Sequence, residues 1–250
     1  MIAESLVVVF FFFLFLSKLH WKKTSALKTK YMINFYLFMN YKNFADSFSK
    51  VNDFPLPGPE AQLLAAPLDR QNKMYLKAEY KKSAKDAAVL IYCYPKFDLM
   101  HLSLIKRSNY IGVHSGQISF PGGKPEPNDK KLEDTALREC SEELGIQIVN
   151  KNLFPLTPLY IPPSNFLVSP FITFDNFNPK FNLDKREVAA HIQIPLFKLM
   201  ELKLEKRHLE QGIQIGIEVP CFYFENNLIW GATAMILAEF KSFLTSLSSN

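Results

Sequence analysis

Cysteine is scarce: the chain of 250 residues holds three, Cys93, Cys140 and Cys221, far apart and without a CxxC pair. Such an odd, scattered set supports neither a disulfide framework nor a zinc site, and reads as reduced, buried thiols of a cytoplasmic protein. A large excess of charge is also missing. The formal net charge is +5, but residues 1–38 alone carry five lysines (Lys18, Lys22, Lys23, Lys28, Lys30) against one acid, Glu4. From residue 39 onward 24 basic residues face 23 acidic ones. That near-neutral balance leaves no electrostatic footprint for nucleic acid. There is no internal repeat and no low-complexity tract beyond the leader, which excludes solenoids and arrays.

No apolar run is long enough for an ordinary membrane-spanning helix. Leu6–Leu16 (LVVVFFFFLFL) is unbroken but has eleven residues, where about 20 are needed. It is also a poor signal peptide, because Glu4 stands where basic residues belong and no small-x-small cleavage site follows. The preferred reading places the true start downstream, at Met32 or Met39, and sets 1–38 outside the fold. A short membrane anchor with basic flanks stays open, as does a homodimer. Residues 39–85 then form an N-terminal extension with a Pro-rich turn, PLPGPE (55–60), and 86–250 form the main domain.

With 48% hydrophobic residues, the remainder can build one sizeable core. AAVLIYCY (87–94) reads as a buried strand that pairs with HLSLIK (101–106) in a hairpin. A short strand GQISF (116–120) precedes PGG (121–123), and a helix from Thr135 to Leu144 is closed by Gly145. Further strands are expected at 167–174, 188–194, 213–224 and 228–231, the last two joined by a turn at Glu225-Asn226-Asn227. A terminal helix runs from Thr233 to Leu247. Strands, a central helix, more strands and a final helix imply an α/β (α+β) architecture, a mixed sheet covered by helices.

The chemistry lies between Gly122 and Ile146, GGKPEPNDKKLEDTALRECSEELGI. On a helix Glu139, Glu142 and Glu143 stand at i, i+3 and i+4, so three carboxylates share one side. Their mutual repulsion calls for a cation, and all-oxygen ligands suit Mg²⁺ or Mn²⁺. Arg138 can hold a carboxylate through a forked hydrogen bond. Gly122 and Gly123 let the backbone approach closely where a side chain would block it. A bare ExxEE would most often be a solvated acidic face. The five specified matches of Arg-Glu-x-x-Glu-Glu-x-Gly, expected by chance at roughly one position in a million, favour a site.

This segment resembles the Nudix box, Gly-x5-Glu-x7-Arg-Glu-U-x-Glu-Glu-x-Gly-U, with U a bulky apolar residue. Gly123, Arg138, Glu139, Glu142, Glu143, Gly145 and Ile146 match, and Cys140 occupies the first U. Asp129 replaces the first Glu, and eight residues separate it from Arg138. The resemblance implies a Nudix fold, a mixed sheet sandwiched between α-helices, and a hydrolase of nucleoside diphosphate derivatives. It implies metal ligands at Glu139, Glu142, Glu143 and the Gly123 backbone, and catalytic roles for Glu139, Glu142 and Arg138. Members often supply a further glutamate from a downstream loop, for which Glu187 is the candidate.

Upstream, LSLIKRSNYIGVHSGQISFPGG (102–123) is similar to the extended motif of the coenzyme A diphosphatase branch. Arg107, Ser108, His114, Gly116, Gln117, Ile118, Phe120, Pro121, Gly122 and Gly123 fit in register, and that branch also shows the lengthened box with Asp. Gly112 stands where an Arg is usual, so a phosphate contact passes to Lys106. The likeness implies a coenzyme A pyrophosphatase that forms 4′-phosphopantetheine and adenosine 3′,5′-bisphosphate, with Lys106, Arg107, His114 and Gln117 as substrate contacts. ADP-ribose or NADH hydrolysis, and a Nudix-fold binding module without catalysis, are the rival readings. Tyr160-Ile-Pro-Pro-Ser-Asn-Phe166 reads equally as a pocket wall or as a plain connecting loop.

Overall fold

The longest strand, β1 (Lys85–Lys96), organises the fold because its two faces bury different layers. The computed structural model describes residues 40–51, 54–67, 83–108, 116–209 and 215–248; the leader 1–38 lies outside them. β1 turns into β2 (Leu99–Arg107) through Phe97 and Asp98. Both have left-handed φ, 52° and 61°, the backbone of a two-residue hairpin loop whose twist matches the strands. Two short strands follow, β3 (Ile118–Ser119) on β2 and β4 (Gly122–Gly123) on β1. After helix α3 (Leu132–Leu144) come β5 (Phe154–Pro155), β6 (Leu159–Ile161), β7 (Phe166–Phe174) and β8 (Val188–Pro195). The sheet runs β3-β2-β1-β7-β5, with β8 on β2 and β6 on β7. β1 and β7 are parallel while the other pairs are antiparallel, so the sheet is mixed, as expected.

Alternation along β1 sends Leu90, Tyr92 and Tyr94 to one face and Ile91 and Cys93 to the other. The first set packs on Ala136, Cys140 and Leu144 of α3 (Leu132–Leu144). Across the sheet, α1 (Tyr41–Phe48) and the last helix, α5 (Gly231–Ser248), cover an aromatic layer. There Phe44 meets Phe174 edge-on at 5.2 Å and Phe154 stacks on Phe243 at 5.1 Å. Helices on both faces make the sandwich that the element order implied. Among the described residues no helix is long and apolar enough to cross a membrane.

The extension is interlocked with this core. Glu239 of α5 is fully buried, and its carboxylate accepts from Gly58 N at 3.2 Å, Gln62 Nε2 at 2.8 Å and Thr157 N at 3.2 Å. Gly58 and Gln62 belong to α2 (Gly58–Leu63), so the Pro-rich turn starts a helix that satisfies a charge in the core. A second sheet, β9-β10-β11, joins β9 (Glu205–His208), β10 (Glu218–Phe224) and β11 (Asn227–Trp230). The β10–β11 turn uses Glu225 and Asn226 with φ of 45° and 64°, the hairpin read from the sequence.

Several boundaries differ from the expectations. The strand at 116–120 shrinks to Ile118–Ser119, because Gly116 is left-handed (φ 67°) and Pro121 has no amide hydrogen to pair. PGG, expected as loop, contributes β4, whose Gly122 and Gly123 face Val89 and Ala88. The strand at 213–224 starts at Glu218, after Gly216 turns the chain at φ 83°, and 213–214 lie outside the described residues. β9 and the short helix α4 (Leu196–Glu201) were not foreseen. The EKRH of β9 is wholly exposed and has no apolar alternation. The central helix starts three residues earlier than read, at Leu132.

Candidate active site

Backbone packing, not side-chain charge, locates the candidate site. Gly122 and Gly123 form β4 against β1, and β4 packs on the middle of α3, where Gly122 N reaches Glu143 and Gly123 lies against Glu139. A Cβ at Gly122 would overlap Ala88 and Val89 of β1, and one at Gly123 would overlap the Glu139 carboxylate. Both glycines are therefore there for close approach, the reason the sequence pattern offered. The helix ends at Gly145 with φ 62°, where a side chain would run into the Asn182 backbone.

The three glutamates share one side of α3 but differ in surroundings. Glu143 is buried and accepts a hydrogen bond from Gly122 N at 3.0 Å. Arg107 Nη1 lies 3.8 Å from its other oxygen. Burial outweighs these two partners, with Glu139 and Glu187 repelling, and pushes the carboxyl up to about 8. Glu139 is half-buried and is also raised, by desolvation first and then by Glu142 and Glu187. Glu142 is the exposed member and accepts from Arg138 Nη1 at 3.1 Å.

Arg138 is the fastener. Its Nε and Nη2 fork onto Asp129 at 3.0–3.3 Å, Nη2 also donates to Lys124 O at 3.0 Å, and Nη1 bridges Glu139 and Glu142 at 3.1 Å each. Asp129 also accepts from Glu126 N and Thr135 Oγ1. With Arg138 as the first cause, it is held well below the usual carboxylate range, at about 2. The carboxylate that departs from the box pattern is thus the one that ties the loop to the helix. The sequence offered an Asp, a Thr and an Arg across an elongated loop, but nothing in their spacing showed that they meet.

The other expected residues fall in different places. Glu187 ends the turn before β8; its carbonyl accepts from Ser108 N at 2.8 Å, and its charge raises both Glu139 and Glu143. Chain neighbours hold that turn to α3, with Asn182 N on Leu144 O and Asp184 N on Glu143 O. Arg107 faces Glu143, whereas Lys106 is exposed, in register with Ile118 and Ala190. Gln117 is joined to the strand end through its carbonyl, which accepts from Arg107 N at 3.0 Å. His114 lies outside the described residues.

Among the described residues no three His, Cys, Asp or Glu side chains already converge as a metal cage. Arg138 draws Glu142 and Glu139 together, and Gly122 N and Arg107 hold Glu143. The donor set still fits a hard divalent cation. It is all oxygen, burial raises Glu139 and Glu143 with neighbouring carboxylates adding to the shift, and Gly123 leaves room against Glu139 that a Cβ would fill.

Two expectations test this geometry. Asp129→Ala frees Arg138 to collapse onto Glu139 and Glu142, so the Mg²⁺ concentration at half-maximal activity should rise by roughly tenfold or more, the usual effect of losing a residue that orients metal ligands. An unchanged metal titration would remove Asp129 from the site. The second concerns pH. The Glu143 carboxyl titrates near 4.5 in the unfolded chain and near 8 when folded. The folded state therefore holds the extra proton between those values. In chelator, wild-type Tm should fall relative to Glu143→Gln as pH rises from about 4.5 to about 8, and the difference should level off above that. A constant difference across the range would contradict the burial of that carboxyl.

The NUDIX domain family matches residues 85–213, more than half of the chain. A protein named uncharacterized Nudix hydrolase NudL from Yersinia enterocolitica is 35% identical over 164 residues, 63% of this chain and 80% of that protein. Its namesake from Yersinia pestis (strain Pestoides F) is 36% identical over 163 residues, 63% and 79% of the two chains. The crystal structure of a MutT/nudix family protein from Enterococcus faecalis aligns with a TM-score of 0.46 and 16% identity, over 72% of this chain and 75% of that one. With the match spanning β1, β4, the whole of α3 and the turn that carries Glu187, the chain belongs to the Nudix family.

Proposed function

We propose that this Nudix hydrolase cleaves the diphosphate of coenzyme A to 4′-phosphopantetheine and adenosine 3′,5′-bisphosphate. The reaction class, metal-assisted hydrolysis of a nucleoside diphosphate derivative, follows from the family; the substrate is our reading. One observation carries it. The upstream segment that resembles the coenzyme A diphosphatase branch is joined to the box through Arg107, 3.8 Å from Glu143, and to the turn that carries Glu187 through Ser108 N on Glu187 O. A substrate-specific segment built into the carboxylate cluster is what a selective enzyme needs.

A diphosphate is anionic and repels an attacking oxygen. A divalent cation, Mg²⁺ or Mn²⁺, when bound neutralises that charge and lowers the pKa of a held water. Oxygens of Glu139, Glu142 and Glu143, with the Gly123 backbone, are the groups that would hold it. Gly122 N and Arg107 keep Glu143 in place, and Arg138 orients Glu139 and Glu142 from the far side. A glutamate, one of the box or Glu187, takes the proton of the attacking water at a carboxylate oxygen as the new P–O bond forms. The bridging P–O bond breaks, and the second phosphate leaves.

The 3′-phosphate distinguishes coenzyme A from ADP-ribose and NADH. Loss of a charge-assisted hydrogen bond to it costs about 1.5–3 kcal/mol, or about ten- to a hundredfold in kcat/KM. Coenzyme A should accordingly be cleaved at least tenfold better than 3′-dephospho-coenzyme A, and better than ADP-ribose or NADH. Equal rates on the two coenzyme A forms would overturn the substrate reading. Faster cleavage of ADP-ribose would move the enzyme to another Nudix activity.

A further inference from the structure

Lys124 follows the glycine pair immediately and is exposed one residue from the Glu139 contact. Glu126, Asp129, Glu139 and Glu142 are all close by in the chain or on the helix, yet each of them pairs with Arg138. The ammonium of Lys124 instead lies over the Phe166 ring, 5.4 Å from its centre. That placement spans β1, since Gly123 pairs with Ala88 on one edge and Phe166 with Lys85 on the other.

Phe166 is held there by the IPPSN corner. The turn Pro162–Ser164 is a 3-10 helix stopped by Asn165, which is left-handed at φ 54°. Tyr160 Oη donates to Asn165 Oδ1 at 2.9 Å, Asn165 Nδ2 donates to Ser83 O at 3.0 Å, and Lys85 N donates to Asn165 O at 2.9 Å. A loop that only connected β6 to β7 would not need three hydrogen bonds that pin it to its own strand and to the start of β1. Phe166 and Leu167 stay partly exposed, while β7 enters the core from Val168 onward.

We infer that Phe166 and Lys124 form a subsite for a phosphorylated nucleoside, the ring stacking on the base and the ammonium pairing with a phosphate that is not cleaved. An aromatic face accepts any base, because every base has a π-face, so the selectivity comes from the cation. The ammonium that lies over the ring would yield that face to the base and turn to the phosphate. Backbone from Gly123 to Lys124 and a four-carbon stem put the ammonium within roughly 10 Å of Glu139. That reach suits a second phosphate on the ribose of the nucleotide whose diphosphate lies at the metal ligands.

This subsite rests on the coenzyme A reading and assigns its 3′-phosphate to Lys124 in place of Lys106. The test measures kcat/KM for coenzyme A and 3′-dephospho-coenzyme A in wild type, Lys124→Gln, Lys124→Arg and Lys106→Gln, together with calorimetric binding of adenosine 3′,5′-bisphosphate and AMP. Lys124→Gln should reduce the wild-type preference of at least tenfold to about threefold or less. It should also weaken adenosine 3′,5′-bisphosphate binding more than AMP binding, and Lys124→Arg should restore both. Phe166→Leu should weaken both nucleotides alike. If wild type discriminates but Lys124→Gln keeps the full preference, or Lys106→Gln loses it, the subsite is wrong and the substrate stands. If wild type does not discriminate, the substrate reading itself has failed.

Discussion

Glu142→Gln should lower kcat by at least about a hundredfold, the usual cost of removing a group that acts on the reacting proton or its metal-held water. The substitution keeps size and removes one charge. Glu142 is the exposed member of the cluster and accepts one bond from Arg138 at 3.1 Å, which an amide oxygen can also accept. The fold should therefore survive, with a Tm near that of wild type. In chelator the variant should even lose some of the repulsion among Glu139, Glu142 and Glu143. All substrates should be depressed alike, because the change acts on the reacting diphosphate and not on what surrounds it. Steady-state kinetics alongside thermal unfolding check this. Retention of more than about a tenth of the wild-type rate would dismantle the assignment of the metal site to this helix.

Gly145→Ala should have the largest effect on stability. Its φ of 62° lies in the left-handed region, which costs a residue with a Cβ about 1–2 kcal/mol. The steric term is worse, because the added carbon would overlap backbone atoms of Asn182 and not the movable end of a side chain. Asn182 N bonds Leu144 O at 3.0 Å, and Asp184 N bonds Glu143 O at 3.1 Å. Shifting this stretch breaks the cap of α3 and moves the turn that carries Glu187. A total loss of about 3 kcal/mol or more is expected from strain and broken hydrogen bonds together, a fall of roughly 10 °C in Tm at this chain length. Activity should fall further than the folded fraction does, because Glu187 moves too. A Tm within about 2 °C of wild type, less than 1 kcal/mol at this size, would mean that the Asn182 segment is not fixed against the helix.

What could be read from the sequence was local. Glu139, Glu142 and Glu143 follow from helical spacing, Gly145 from the need for a left-handed stop, and the β10–β11 hairpin from Glu225-Asn226-Asn227. Each depends on residues within one or two turns of one another. What escaped was non-local or lacked a pattern. Asp129 looked like a blemish in the box because the loop's path, not its length, brings it back to Arg138. β9 escaped because its four charged or polar residues carry no apolar alternation. The buried Glu239 bonds Gly58 and Gln62 across about 180 residues, so nothing local in the extension showed that it reaches a carboxylate inside the domain. Lys106 and Arg107 were both expected as substrate contacts, but the ladder places Lys106 in solvent and Arg107 against Glu143.

Product analysis of coenzyme A, NADH and ADP-ribose, each incubated with Mg²⁺ or Mn²⁺ and with chelator, tests the central claim most directly. Wild-type protein should convert coenzyme A to 4′-phosphopantetheine and adenosine 3′,5′-bisphosphate, faster than it cleaves the other two. The conversion should stop in chelator and nearly stop in Glu142→Gln. Recovery of all three compounds intact, with either metal and folded protein, would contradict the account of this helix as a diphosphate-cleaving site.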